Sequence, residues 1–87
     1  MTAIVQLPRM LAQAVNTDLS HEVEGSSVGE ALTSLFDRQP GLRGHIVDER
    51  GAIRPNVSVF VDGTQAVLES SVGDSSRVRI LQAVSGG

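Results

Sequence analysis

The residues of this 87-residue sequence best suited to chemistry are its last ones, Val84-Ser85-Gly86-Gly87. Two consecutive glycines carry no Cβ to block a narrow channel, and they take backbone angles closed to other residues, so such a tail can thread into a partner's active site. The group offered there is the Gly87 carboxyl, which a partner could activate, with Val84, Ser85 and Gly86 supplying extended backbone and clearance. Counted from Gln82, the stretch reaches about 20 Å at roughly 3.3 Å per extended residue. At ordinary glycine usage a terminal Gly-Gly arises by chance in roughly 0.5% of chains, so the tail gains meaning only from the body behind it.

The rest of the chain offers little else that could react. Cysteine is absent, which removes disulfides, thiolate metal sites and a Cys nucleophile. His21 and His45 stand far apart with no carboxylate or histidine at ligand spacing, so no metal site is expected, and Glu22, Glu24, Asp48 and Glu49 read as solvated charges. No glycine-rich phosphate loop is present, so no bound nucleotide or other cofactor is expected. All seven basic residues are arginines (Arg9, Arg38, Arg43, Arg50, Arg54, Arg77, Arg79), so an activated C-terminus would meet no lysine amine on its own body. A net charge of -3, a pI near 5.1 and only two aromatic residues, Phe36 and Phe60, argue against nucleic acid. No apolar run is long enough to span a bilayer, and Met1 to Pro8 is a short alternating segment rather than a leader. A cytoplasmic protein is expected.

The body that must present the tail is one small domain with a core of Val, Leu, Ile and Ala. Ala3, Val5 and Leu7 alternate with Ile4 and Gln6 in a first strand ended by Pro8. Pro8 to Asp18 is a connection with helical character at Met10, Leu11 and Ala14. A second strand follows, with Leu19, His21 and Val23 on one side and Ser20, Glu22 and Glu24 on the other, closed by Gly25. Ser27-Val28-Gly29-Glu30 is a capping box, and Val28, Ala31, Leu32, Leu35 and Phe36 form one helical stripe before Pro40-Gly41 stops the helix. Arg38 suits the helix C-terminal dipole.

Leu42 to Asp48 reads as a short helical turn, Asp48 to Gly51 as a turn, and Ala52 to Arg54 as a brief strand cut off by Pro55. Val57 to Val61 is the strongest strand; it puts Val57, Val59 and Val61 against the helix and Ser58 and Phe60 away from it. Asp62-Gly63 then turns the chain into a short return from Gln65 to Leu68. After a polar loop from Glu69 to Ser76 comes the last strand, Val78 to Leu81, with Val78 and Ile80 inward and Arg79 and Leu81 outward. Phe60 and Leu81, apolar on the outer face of neighbouring strands, mark a partner-docking patch, with Arg79 beside them to steer acidic partners.

One main helix can cover only one face of a mixed sheet, so the order gives an α+β fold, the β-grasp arrangement. The stretch Gly51 to Gly63, read G-A-I-R-P-N-V-S-V-F-V-D-G, and the end V-R-I-L-Q-A-V-S-G-G resemble the small ubiquitin-like sulfur carriers. These comprise the molybdopterin synthase small subunit, the thiamine-pathway carrier and the actinobacterial cysteine-pathway carrier, and the likeness to the last is greatest. It covers nearly the whole chain, including Leu7-Pro8 and Pro40-Gly41-Leu42-Arg43. Where the family usually has Gly-Asp before the last strand this chain has Ser75-Ser76, and Gln82 stands where proline is frequent.

The resemblance implies a β-grasp domain over residues 1–83 and a flexible Gly-Gly tail over 84–87. It implies a protein cosubstrate rather than an enzyme: an E1-like adenylating enzyme uses ATP to activate the Gly87 carboxyl, sulfur replaces AMP, and the Gly87 thiocarboxylate serves a downstream sulfur-accepting biosynthetic enzyme. Two alternatives use the same tail. One is a ubiquitin-like modifier conjugated through Gly87, the other a small subunit resident in a molybdopterin synthase.

Overall fold

The structure, a computed structural model, describes residues 2–83. Its elements run β1 (Thr2–Gln6), α1 (Arg9–Ala14), β2 (Ser20–Glu24), α2 (Val28–Arg38), a 3-10 turn (Pro40–Leu42), α3 (Arg43–Ile46), β3 (Val57–Val61), β4 (Thr64–Ala66) and β5 (Arg77–Gln82). The five strands form one mixed sheet in the order β2-β1-β5-β3-β4. Only β1 and β5 pair in parallel, with Val5 opposite Val78 and Gln6 opposite Arg79, so the last strand lies at the centre.

Alternation fills the covered face as the sequence predicts. Ala3, Val5, Val23, Val59, Val78 and Ile80 are all buried, and α2 lays Val28, Ala31, Leu32 and Leu35 over them. Two residues expected inward differ. Phe36 is only half-buried, because it lies at the margin of the stripe, and Val61 is half-buried at the end of β3. Leu19, expected inward, is 45% exposed, since it precedes β2 and only its carbonyl is engaged, accepting from the Leu7 amide at 2.7 Å. In α1 the buried pair is Leu11 and Ala12, while Met10 projects into solvent.

The helix start follows the capping box with one change. Ser27 Oγ accepts from the Glu30 amide at 3.2 Å, but the Glu30 carboxylate reaches the amide and hydroxyl of Ser26, at 2.8 and 2.9 Å, instead of the Ser27 amide. Beside this cap Ser27 and Ser71 form a bridge, in which the Val28 amide donates to Ser70 O and the Val72 amide to Ser26 O. This bridge seats Val72 in the core at 2% exposure, so the loop after β4 is anchored through a residue that its polar surroundings conceal.

Beyond α2 the chain tightens rather than forming a further strand. The brief strand expected at Ala52 to Arg54 is a single bridge between Val47 and Ile53. Here the Asp48 carboxylate accepts from the amides of Arg50 and Ala52, Arg54 Nε donates to Gly44 O at 2.7 Å, and Pro55 has no N–H with which to extend a ladder. The Asp62-Gly63 turn has positive φ at both residues, 48° and 89°, which is the two-residue hairpin geometry matching the right-handed twist of β3 and β4.

The open edge at β2 is closed by the helix. The Ile4 amide donates to Ser76 O, away from β2, so the opposing Glu22 turns its own peptide groups outward, as does Glu24 two residues on. Their carbonyls accept from side chains of α2: Arg38 donates to Glu22 O at 2.6 Å and Ser34 to Glu24 O at 2.7 Å. Arg38, which the sequence assigns to the helix dipole, thus also fastens the sheet margin.

Candidate docking face and tail exit

The uncovered face of the sheet is built from outward positions of β1, β3, β4 and β5. Register places Gln65, Phe60, Arg79 and Gln6 in one row across four strands, with Leu81 opposite Ser58 one step nearer the exit of β5. Phe60 and Leu81 are therefore diagonal neighbours, and the residue directly across from Phe60 is Arg79. Phe60 is half-buried and Leu81 is 38% exposed. Together with Gln6, Asp62, Gly63 and Arg77 these three line a shallow concavity of about 440 Å³. The structure thus brings Phe60, Arg79 and Leu81 together, as alternation suggests.

Three lining side chains were missing from the sequence reading. Arg77 shares the parity of Arg79 and could have been found by extending the strand one residue. Gln6 enters only through the parallel β1–β5 pairing, a contact between chain ends that no local pattern encodes. Asp62 was read only as a turn residue. Its carboxylate accepts from the Arg77 amide at 2.9 Å; that bond, then the Ser76 hydroxyl and then the Arg77 charge, hold the Asp62 carboxyl below the usual carboxylate range. Asp62 therefore stays ionised beside the two arginines and pins the start of β5.

The backbone at that start is unusual. Ser75 has φ of 66°, in the left-handed region, and its amide donates to Thr2 O at 2.7 Å. Ser76, 8% exposed, accepts from the Gly73 amide at 2.9 Å. Glycine at the first position and a carboxylate at the second, the family's usual pair, would serve these same two roles.

At the other end of β5, Gln82 pairs with Val57 and the Ala83 amide donates to Asn56 O at 2.8 Å. Both residues are held on the sheet, so the reach counted from Gln82 begins later than the sequence suggests. The expected tail residues Val84, Ser85, Gly86 and Gly87, and with them the Gly87 carboxyl, lie outside the described residues. The strand delivering them is the central one, and Leu81 lies beside its exit.

Of the remaining sequence candidates, His21 is engaged locally. His21 Nε2 lies 2.9 Å from Asp18 O and 3.3 Å from Thr17 Oγ1. Among the described residues no three His, Cys, Asp or Glu side chains gather as a metal centre, and no helix is long and apolar enough to cross a membrane.

Comparison with known proteins places this arrangement. The model of the ThiS family matches residues 5–87. The chain belongs to the ThiS family. Among solved structures it is similar to a chain of the Amycolatopsis orientalis BexX/CysO complex, with 27% identity over 98% of this chain and 99% of that one and a TM-score of 0.86. The small archaeal modifier protein 1 (SAMP1) of Methanosarcina acetivorans shares 28% identity over 99% and 96% of the two chains, with a TM-score of 0.82. SAMP1 of Haloferax volcanii, at 22% identity, superposes over the whole of both chains with a TM-score of 0.89. No curated protein matches the sequence. The fold is the ubiquitin-like β-grasp, and the chain is one of the small ubiquitin-like carrier and modifier proteins.

Proposed function

We propose that this ThiS-family protein is a sulfur carrier whose Gly87 carboxyl is converted to a thiocarboxylate. The observation that carries the reading is the family match itself, which runs through Ser85-Gly86-Gly87 on a fold whose central strand leads into them. From Ala83 outward, four residues at about 3.3 Å each give a reach of roughly 13 Å, enough to enter an enzyme cleft.

The chemistry follows from the carboxylate. It resists sulfur nucleophiles, so an adenylating partner first joins it to AMP from ATP, releasing pyrophosphate. Sulfide then attacks the acyl carbon; a C–S bond forms, the C–O bond to AMP breaks, and AMP carries off the electron pair. Where a persulfide is the donor, the acyl disulfide so formed is cleaved by a second thiol, which becomes a disulfide with the donor and leaves the thiocarboxylate. ATP thus belongs to the partner, and a second enzyme takes the sulfur for cysteine, a thiosugar, thiamine or molybdopterin. The reading puts this work in the cytoplasm. The concavity at Phe60, Arg79 and Leu81, beside the strand exit, supplies the surface by which the activating enzyme holds the body while the tail reaches in.

The test is intact-protein mass spectrometry after incubation with an adenylating enzyme, ATP and sulfide. A gain of about 16 Da, one oxygen replaced by sulfur, is expected on the parent and not on the chain lacking Gly87, whose terminus falls about 3.3 Å short. Sulfur uptake by the truncated chain at the parent's rate would refute the assignment. A second reading, conjugation through Gly87, is supported by the likeness to the archaeal modifier protein, and it would appear instead as higher-mass adducts. Stable co-purification with a large subunit would identify a resident synthase subunit.

A further inference from the structure

The chain has two aromatic residues, and each lies half-buried in a separate concavity on opposite sides of the molecule. Phe60 belongs to the sheet face. Phe36 belongs to a larger groove of about 790 Å³ along α2, between the helix and the loops carrying Val47, Gly51 and Leu68. The two grooves differ in sign. The sheet concavity holds Arg77 and Arg79 against Asp62, whereas the helix groove holds Glu24, Glu30 and Asp37 against Arg43.

The groove's size is that of a ligand site, but its chemistry is that of an interface. Its floor is apolar, built from Phe36 and Leu68 over buried Leu32 and Val47. No buried side-chain polar atom among the described residues lacks a partner, so nothing unsatisfied points into it to orient a small molecule. An apolar floor inside a charged rim is the anatomy of a protein-docking surface. The loop wall is fastened to the helix: the Gly29 amide donates to Leu68 O at 2.9 Å, so the groove is held open by backbone rather than by a movable side chain. Glu30 stays ionised because its carboxylate accepts both Ser26 donors.

We propose that the Phe36 groove is a second docking surface, which takes a basic amphipathic helix of a partner protein. The apolar face of that helix covers Phe36 and Leu68, and its cations meet Glu24, Glu30 and Asp37. The occupant is cationic because three acids face one base on the rim. The groove lies on the helix side, away from Phe60 and Leu81, so a partner can hold it while another engages the sheet face and the tail. The proposal stands apart from the chemistry of Gly87, and its test runs equally on a chain without that residue.

The experiment uses the isotopically labelled full chain and, as probe, an amphipathic leucine–lysine peptide of about four helical turns. Controls are the same composition scrambled so that no apolar face forms, and a leucine–glutamate counterpart. Amide shifts are expected at Gly29, Thr33, Phe36, Asp37, Gly51 and Leu68. Affinity is expected to fall by about tenfold or more in the variant carrying Glu24→Lys and Asp37→Lys, with unchanged melting. Glu30 is left intact in that variant because it caps the helix. Equal binding of the scrambled peptide, shifts centred on Phe60 and Leu81, or unchanged affinity in the charge-reversed variant would overturn the assignment. So would concentration-dependent shifts at these positions without peptide, which would make the occupant the arginine-bearing sheet face of a second copy.

Discussion

The sheet face around Phe60 and the helix groove around Phe36 are assembled in opposite ways. The first gathers residues from both ends of the chain: Gln6 from β1, Phe60 from β3 and Arg79 and Leu81 from β5. The second is built mainly on one helix and the loops that touch it. A face made by long-range pairing exists only when the sheet is complete, while a groove on one helix depends on local turns as well. The contrast ties the tail exit to the most global feature of the fold and leaves the helix side free to carry a separate contact.

The largest effect should come from the layer that both surfaces share. Leu32→Ala removes the support beneath Phe36 and Val59→Ala the support behind the Phe60 strand; both side chains are at most 2% exposed. Each should cost about 1 to 4 kcal/mol through the cavity it opens, read as a lowered midpoint in urea denaturation. A wild-type midpoint in either would mean that the two faces do not rest on one core.

The comparison sharpens at the surfaces themselves. Phe60→Ala and Leu81→Asp should slow adenylation by about tenfold or more at unchanged melting, since they alter contacts and not the core. Asp37→Lys should leave adenylation rates unaltered. Equal slowing by all three would merge the two surfaces into one; unchanged rates with Phe60→Ala and Leu81→Asp would detach the tail from the sheet face.

A smaller, opposite change is expected at the entry to β5. Ser75 holds a left-handed angle that costs an L-residue about 1 to 2 kcal/mol, partly offset because serine is less free than glycine when unfolded. Ser75→Gly should therefore stabilise the fold by about 0.5 to 1 kcal/mol, visible as a rise in Tm. A fall would show that the Ser75 side chain contributes more than its backbone costs.

Acid should act last and mildly. Glu30, Asp48 and Asp62 are held below the usual carboxylate range by amide donors, foremost Ser26, Ala52 and Arg77 respectively. Their stabilisation is fully present above the unfolded carboxylate values and is lost as pH falls through the lower folded ones. Melting should be flat near neutrality and decline below about pH 5. Asp48→Asn and Asp62→Asn should each flatten that decline when measured by thermal melts across pH; an unaltered profile would assign the acid sensitivity elsewhere.

Much of this fold was legible because it is locally consistent. Alternation gave the inward faces of β1, β3 and β5, the Ser27–Glu30 pair gave the start of α2, and Asp62-Gly63 gave the hairpin. What escaped depends on distance along the chain. Parallel pairing of β1 with β5 joins the two ends, so Gln6 beside Arg79 had no local signal. Phe36 fitted the stripe so well that its half-exposure was hidden, since helical periodicity reports direction and not how far the sheet extends beneath. Val72 looked like polar loop because its burial comes with the bridge between Ser27 and Ser71, and Ser76 because its carbonyl meets the Ile4 amide of β1, each a distant partner. The tail was read entirely from residue type and resemblance.

The fastening of β2 by α2 bears on crowding. A sheet margin ordinarily offers a neighbour a row of free peptide groups, and copies of a small protein at high concentration can add to one another there. In this chain the outward carbonyls of Glu22 and Glu24 are already taken by Arg38 and Ser34, two residues one helical turn apart that match the two-residue spacing of the strand. An approaching strand would have to evict both, and would then meet a line of negative charge. The helix that completes the core on its inner stripe thus acts, through its flank, as a guard against fibre growth.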